Sequence, residues 1–594
     1  MGEISYHVDE SHLWFKPESG WPAEVVKNTT FERKLLGDVL RETAKEYPNH
    51  TAIWFQGVTM TYRELDEAVD RFATALANLG LKKPDVLALL LPNSFQYVVA
   101  YYACARLGII VSGCNPTYKP NEILHQLKTV GAKAMLLLDI LYEPIVAPIR
   151  NESPVRLYIK TNITDMMKLS PVKKFIGGAL GKIPKAEVPD SKDFAQLMKT
   201  APALPKVDIS ADDTATYIMT GGTTGVPKAA VLSHFNCVSN VHQCALWLFK
   251  IQPGAAILGV LPLFHSFAMT TVMNISVKKA LMMILFPKPP EMDVLYKTIL
   301  EVGPPKGTMM PGAEVLFKKM AEFPDAEKYH IAGKLIMCVS GAGPLHRPVQ
   351  EAFERVTKAQ LSEGFGLTES TPVVSGHPFW GEREQFIGTI GLPFPGTEWR
   401  IADIGDPKIT IKPGETVETE DGVKPKTGEI IVAGPQVMVG YLNRPDETAE
   451  TIVEMEGKRW LLTGDIGYMD AHGRIIINDR KKQLIKNRGW SVFPTEVETL
   501  MLGHAAINEC AVAGIPDEKT GESIKAWVVL KPESRGKVTE AELLEWAKAN
   551  LTHYKVPRYV QIIEEIPKTP VGKVLRRELQ EADPLFIAAK AKKK

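Results

Sequence analysis

Between Tyr217 and His234 the chain reads YIMTGGTTGVPKAAVLSH, a stretch whose residue types suit it to holding phosphate. An apolar run leads into Thr220, Gly221, Gly222, Thr223, Thr224 and Gly225, and Pro227 and Lys228 precede a second apolar run. Glycines let successive N–H groups approach an anion as a concave donor nest, threonine hydroxyls add donors, and Lys228 adds a positive charge. The loop is not a Walker A loop, G-x-x-x-x-G-K-[ST], because no Ser or Thr follows the lysine. Taken alone, the same residues also suit a plain Gly/Thr-rich turn between two strands.

The stretch resembles the phosphate-loop signature of the acyl-adenylate-forming superfamily, usually Ser-Gly-Thr-Thr-Gly-x-Pro-Lys-Gly. Gly221 stands where serine is commonest and Ala229 where glycine is, and the Thr-Gly-Gly-Thr-Thr-Gly form is associated with bacterial fatty-acyl-CoA ligases. A second signature, Gly-Tyr-Gly-x-Thr-Glu, is matched by Gly364, Phe365, Gly366, Leu367, Thr368 and Glu369. The resemblance implies that this hexapeptide binds the nucleotide. A ring flanked by glycines can lie against an adenine, and a carboxylate oxygen suits a hard cation, so Phe365 would stack and Glu369 would hold Mg²⁺. Gly341, Ala342 and Gly343 follow an apolar run and are implied in ATP/AMP binding as well. The segment Leu263-Phe264-His265 resembles the family's Pro-Leu-Phe-His, which implies that His265, with Gly366, borders the acyl pocket.

A third signature, Thr-Gly-Asp, falls at Thr463-Gly464-Asp465. A carboxylate can accept two O–H bonds at once, so Asp465 is expected at the ribose hydroxyls. The family places a ribose-binding arginine after the aspartate of Asp479-Arg480 and a hinge two residues on, which here are Arg480 and Lys482. The closing motif matches Pro567 to Arg576, and its lysine after glycine, Lys573, is implied to be catalytic together with Thr224 and Glu369. The loop Lys486, Asn487, Arg488, Gly489, Trp490 would serve CoA: Gly489 leaves room for the pantetheine arm, and Lys486 or Arg488 meets its phosphates. Trp490 is bulkier than glycine-rich relatives carry. The signatures occur in family order and span nearly the whole chain.

Composition is compatible with this reading. Lys plus Arg (70) nearly cancels Asp plus Glu (69), so no global field favours nucleic acid, and any charged ligand must be met by a local site. The six cysteines are scattered without C-x-x-C pairing, which argues against a zinc site or a disulfide framework and fits a reducing cytoplasm. The N-terminus lacks a basic and then apolar leader pattern, and Pro92-Asn93 interrupts the most apolar stretch before it reaches bilayer length. Residues 166–185 are basic, apolar and glycine-rich. They suit either a solvated surface excursion or peripheral contact with the inner membrane surface. Self-association is left open.

A chain of 594 residues exceeds one core. Helical periodicity at 35–44, about 61–79, about 94–107 and 120–130 alternates with apolar strands at 52–55, 86–91, 108–111 and 133–138, and further strands are expected at 256–262 and 335–340. That alternation predicts doubly wound α/β sheets. The resemblance adds a distorted β-barrel, and it divides the chain into an adenylation domain at 1–479, a hinge at 480–482 and a small mobile α+β domain at 483–594. Within the last, strands at 512–515 and 526–530 and a helix at 540–550 are expected.

The activity implied is AMP-forming ligation of a carboxylic acid to coenzyme A. The acid displaces pyrophosphate from ATP to give an acyl-AMP, and the CoA thiol then displaces AMP. A medium- or long-chain fatty acid is the preferred substrate. Alicyclic or aryl acids, or loading of a carrier protein, are the alternatives.

Overall fold

The computed structural model describes residues 2–167, 185–220, 227–419, 422–487, 490–517, 521–569 and 574–591. All but the ends of the basic 166–185 stretch lies outside them. Two large sheets form the centre of the molecule, one of eight strands and one of nine. In the first, Val86–Leu90 pairs in parallel with Ile110–Gly113 on one side and Ala134–Leu138 on the other. All three are buried along their whole length, as expected for strands covered on both faces. Antiparallel strands complete the edges: Lys228–Ser233 folds back on Thr214–Thr220, and in the second sheet Val373–Gly376 folds back on Leu361–Gly366. A six-stranded antiparallel sheet follows, built on Gly428–Ala433 and Lys458–Met469.

Local chemistry sets the helix ends. Thr61 and Glu64 cap the helix Tyr62–Asn78 reciprocally, the Thr61 hydroxyl accepting from the Glu64 N–H and Glu64 accepting from the Thr61 N–H. Ser94 caps Phe95–Leu107, and that helix ends at Gly108 with φ +65°. The left-handed residue displaces the next strand, which runs Ile110–Gly113 and not from 108 as periodicity suggested. The strand expected at 256–262 stops at Gly259. There the Asn93 amide takes the carbonyls of Gly259 and Leu261 and accepts the N–H of Leu263, drawing the chain out of the sheet toward His265.

Beyond residue 483 a short hairpin, Ile485–Asn487 with Trp490–Val492, leads to the helix Pro494–Met501. The two expected strands are parts of a longer pair, Ile507–Asp517 with Gly521–Leu530. The helix Glu540–Asn550 lies where periodicity placed it, and Tyr559–Ile562 adds a parallel strand. This part buries its own core, centred on Ile485, Val497, Val512, Ala526, Val528 and Leu543. All six cysteines are free and buried, and no helix among the described residues is long and apolar enough to cross a membrane.

Candidate active site

Thr220 ends one strand, Lys228 begins the next, and the two are paired across the ladder, so the phosphate-loop residues 221–225 connect the ends of a hairpin. Those residues lie outside the described ones, as do Arg488, Gly489 and Lys573. The Lys228 ammonium stands 4.4 Å from the centre of the Tyr441 ring. The Tyr441 hydroxyl in turn donates to Glu369 Oε1 at 2.7 Å. The backbone pairing of Tyr441 with Ala230 brings it there. Burial, and then the Glu369 charge, hold the Tyr441 phenol well above its ordinary range, so it remains a neutral donor.

Glu369 lies in a tight turn, Thr368–Ser370, just past Leu361–Gly366, and its carbonyl accepts the Met438 N–H at 2.8 Å. Among the described residues no group of three or more His, Cys, Asp or Glu side chains stands together to cage a metal. This donor set fits Mg²⁺ arriving with a nucleotide, with Glu369 giving one carboxylate oxygen while phosphates and water supply the rest.

The loop after Leu335–Ser340 is held by two carboxylates. Ala342 takes φ +67°. The Leu345 N–H donates to Glu363 at 3.3 Å, and Glu314 accepts the His346 N–H at 2.9 Å and stands 2.8 Å from its ring Nδ1. Burial pushes the Glu363 carboxyl up to about 8, the Glu314 charge adding to it, while the hydrogen bond to Glu314 raises the His346 imidazole. A carboxyl raised in this way keeps its proton in the folded chain after the unfolded chain has lost it. Its contribution to stability is complete below the ordinary carboxyl range and is lost as pH climbs through about 8. The Glu363→Gln variant is expected to remove that slope, at about 1.4 kcal/mol per pH unit of the window. Urea midpoints at acidic, neutral and mildly alkaline pH check it: the variant gains on the wild type as pH rises, and parallel curves would refute the assignment.

Asp465 and Arg480 come from adjacent strands and face each other in register, with Nε and Oδ1 2.6 Å apart. Lys482 sits in the short turn Lys481–Gln483. Lys486 and Trp490 border the small hairpin of the CoA-loop motif.

One cavity gathers much of this. His265, Gly341, Ala342, Gly364, Phe365, Gly366, Leu367 and Thr368 line it, while Gly343 does not. His265 Nδ1 caps the following turn by accepting the Phe267 N–H at 3.2 Å, and Ser266 reaches the Thr368 hydroxyl at 3.3 Å. Apart from Thr271 and Ser375 the rest of the wall is apolar, including Trp247, Ile257, Met309, Met337, Phe379 and Phe394. The cavity volume is about 120 Å³, below the roughly 300–1,000 Å³ usual for small-molecule sites.

In the sequence, Gly440-Tyr441-Leu442-Asn443 matches the family spacing only as a structural segment, and nothing there singles out Tyr441, Ser266, Glu363 or Trp247. Trp247 and Tyr441 reach the site from segments distant in sequence, whereas Ser266 directly follows His265 and Glu363 directly precedes Gly364.

A family model described as AMP-binding enzyme matches residues 40–442, and a second, AMP-binding enzyme C-terminal domain, matches 496–573. The chain belongs to the AMP-binding enzyme family. This AMP-binding enzyme is 36% identical over 574 residues to a long-chain-fatty-acid–CoA ligase of Bacillus subtilis, covering 95% of this chain and 97% of the relative. A protein of the same description from Yersinia pestis is 35% identical, with 96% and 98% covered. In fold it is similar to ATP-bound MatB from Rhodopseudomonas palustris, with TM-score 0.78 and 23% identity over 93% of this chain and all of that one.

Proposed function

We propose that the acid this enzyme activates is a medium- to long-chain fatty acid. The reaction class, AMP-forming ligation of a carboxylic acid to coenzyme A, follows from family membership and from near-full-length relatives of that activity. The observation that carries the choice of acid is the cavity lining: beside the residues of the nucleotide signatures it is made mostly of aliphatic, aromatic and methionine side chains.

Each residue is given the role its surroundings support. The 220–225 loop and Lys228 receive the ATP phosphates, the aromatic face of Tyr441 holds the Lys228 ammonium, and Phe365 with the 341–343 loop receives adenine. Asp465 takes the ribose hydroxyls beside Arg480. Mg²⁺, when bound at Glu369, neutralises charge on the phosphates. Attack of the substrate carboxylate on the α-phosphorus forms a P–O bond and breaks the bond to pyrophosphate. Fixed cations and N–H donors lower that barrier because they need no reorganisation as the charge builds. In the second step the CoA thiol adds to the acyl carbon, its proton leaves, and AMP departs. A turn about Lys482 would exchange Lys573 for the 486–490 loop between the steps. A cytoplasmic enzyme whose 166–185 stretch touches the inner membrane surface fits this reading, since such acids partition into membranes.

The test is pyrophosphate release and thioester formation with straight-chain, cyclohexyl and aromatic carboxylates, each with and without CoA. The expected result is the highest kcat/KM with straight-chain acids. Turnover confined to ring acids would overturn the choice of substrate and leave the reaction class standing.

A further inference from the structure

We propose that Glu429 is a positioning residue that holds the Asp465–Arg480 pair at both of its flanks and so sets how tightly the ribose of ATP is gripped; the inference rests on the ribose role given to that pair above. Glu429 lies in the strand Gly428–Ala433 and is 4% exposed. One carboxylate oxygen, Oε1, accepts the Gly464 N–H at 3.0 Å, and the other, Oε2, takes the Lys481 ammonium at 2.7 Å. Gly464 immediately precedes Asp465, and Lys481 immediately follows Arg480. A single buried side chain from a third strand thus touches the neighbour of each member of the pair.

The strand register explains why such a brace is needed. Ile431 pairs with Leu462 and Glu429 with Ile466, so Thr463, Gly464 and Asp465 all stand opposite Ile430 alone. This bulge takes the Gly464 N–H out of the ladder between the two strands, and a backbone donor removed in this way needs another acceptor. The Thr463 hydroxyl donates to the Ile430 carbonyl at 2.8 Å and accepts the Asp465 N–H at 3.1 Å, and Glu429 ties the glycine between them. Past the end of the strand Ile475–Arg480, the Lys481 ammonium also donates to the Ile404 carbonyl at 3.2 Å, so two acceptors fix it. Its charge is answered by Glu429, while that of Arg480 meets Asp465 at 2.6 Å. Groups that bind a ligand keep their geometry to within about 0.5 Å only when the residues behind them are themselves fixed. Two adjacent ribose hydroxyls demand that tolerance, because both bonds to one carboxylate must form together.

The test is calorimetric titration of the full chain, with Mg²⁺ and no acid, to give the Kd of ATP and of 2′,3′-dideoxy-ATP, which keeps the base and phosphates and lacks both hydroxyls. Hydrogen bonds to charged groups predict that the wild type prefers ATP by about 10- to 100-fold, and Asp465→Ala should abolish the preference. Glu429→Ala should bring it to within about threefold, by weakening ATP while leaving the Kd of the dideoxy nucleotide near that of the wild type. Glu429→Gln, which keeps an acceptor for Gly464, should recover part of the preference. Lys481→Met, which frees the Arg480 flank alone, should lower it about threefold, and it carries the test if Glu429→Ala does not fold. A merely structural role would weaken both nucleotides equally. An undiminished preference in the variant that carries the test therefore overturns the inference and leaves the ribose reading standing. A wild type that binds the two nucleotides equally, or an Asp465→Ala variant that keeps the preference, overturns the ribose reading and the inference with it.

Discussion

Lys573→Ala is expected to lower acyl-AMP formation about 100- to 1,000-fold, the usual loss when one fixed charge-stabilising group is removed from a polar transition state, while conversion of supplied acyl-AMP and CoA stays near normal. Negative charge builds on the phosphorus only in the first step, so the cation matters only there. The flanks of its motif are well held. Lys568 pairs with Glu509 at 2.7 Å and bridges to Val574, and Arg576 grips Glu498 through two nitrogens at 3.0 and 2.6 Å and reaches Gln483 at 3.1 Å. Loss of one ammonium between such anchors should leave the small unit folded. Pyrophosphate release with acid alone and thioester formation from synthetic acyl-AMP measure the two steps separately. Equal loss in both would make Lys573 structural and remove the reason for a domain that serves two reactions in turn.

Gly366→Ala is expected to be nearly as damaging, for a steric reason. A Cβ at Gly366 would lie 2.1 Å from the Pro372 carbonyl oxygen and 2.8 Å from its carbon, and the same oxygen accepts the Leu367 N–H at 3.0 Å. The turn carrying Thr368 and Glu369 would have to open, and Asn240 holds Val373 from both sides, so the strand cannot retreat. Overpacking a core with one methyl costs about 1–3 kcal/mol, and a backbone neighbour cannot yield as a side chain does. ATP affinity should fall by more than about tenfold with a lower melting temperature. Gly343→Ala is the control for stability: its Cβ would meet nothing within 4 Å, and the melting temperature should stay close to wild type. Calorimetric titration with ATP and a melting curve on each variant decide it, and indistinguishable behaviour would show that the close approach at Gly366 is not what the site depends on.

The parts of this site legible in the sequence are the short contiguous segments proposed to recognise phosphate, base and ribose, where glycines and a single charge leave a local pattern. Asp465 and Arg480 were legible one by one, but their facing each other in register belongs to the strand pairing. Tyr441 was legible only as part of a structural match, because its partners Lys228 and Glu369 reach it through a backbone pairing with Ala230. The acyl cavity was illegible except at His265 and Gly366. Its walls come from two helical stretches, five strands and the loops between them, and nothing in the run around Trp247 distinguishes a cavity wall from an ordinary core position. Strand limits depart from the periodicity where a single residue intervenes. Gly108 does so through its left-handed turn, and Asn93 by taking carbonyls that would otherwise extend a ladder.

Asp479, buried just before residues 480–482, accepts the Thr495 N–H at 2.7 Å and so caps the first turn of the helix Pro494–Met501. The carboxylate belongs to the last strand before the hinge and the N–H to the first helix after it. Any turn of the small unit about those residues must uncouple them and leave that helix end to water. Loss of such a cap costs about 1 kcal/mol, which biases two arrangements roughly fivefold, where a near-complete switch would need about 5.5 kcal/mol. If the small unit turns about Lys482 as proposed, the contact would act as a detent, not a lock: it would favour one posture while leaving the other within thermal reach, so that whichever substrate is bound could decide the balance.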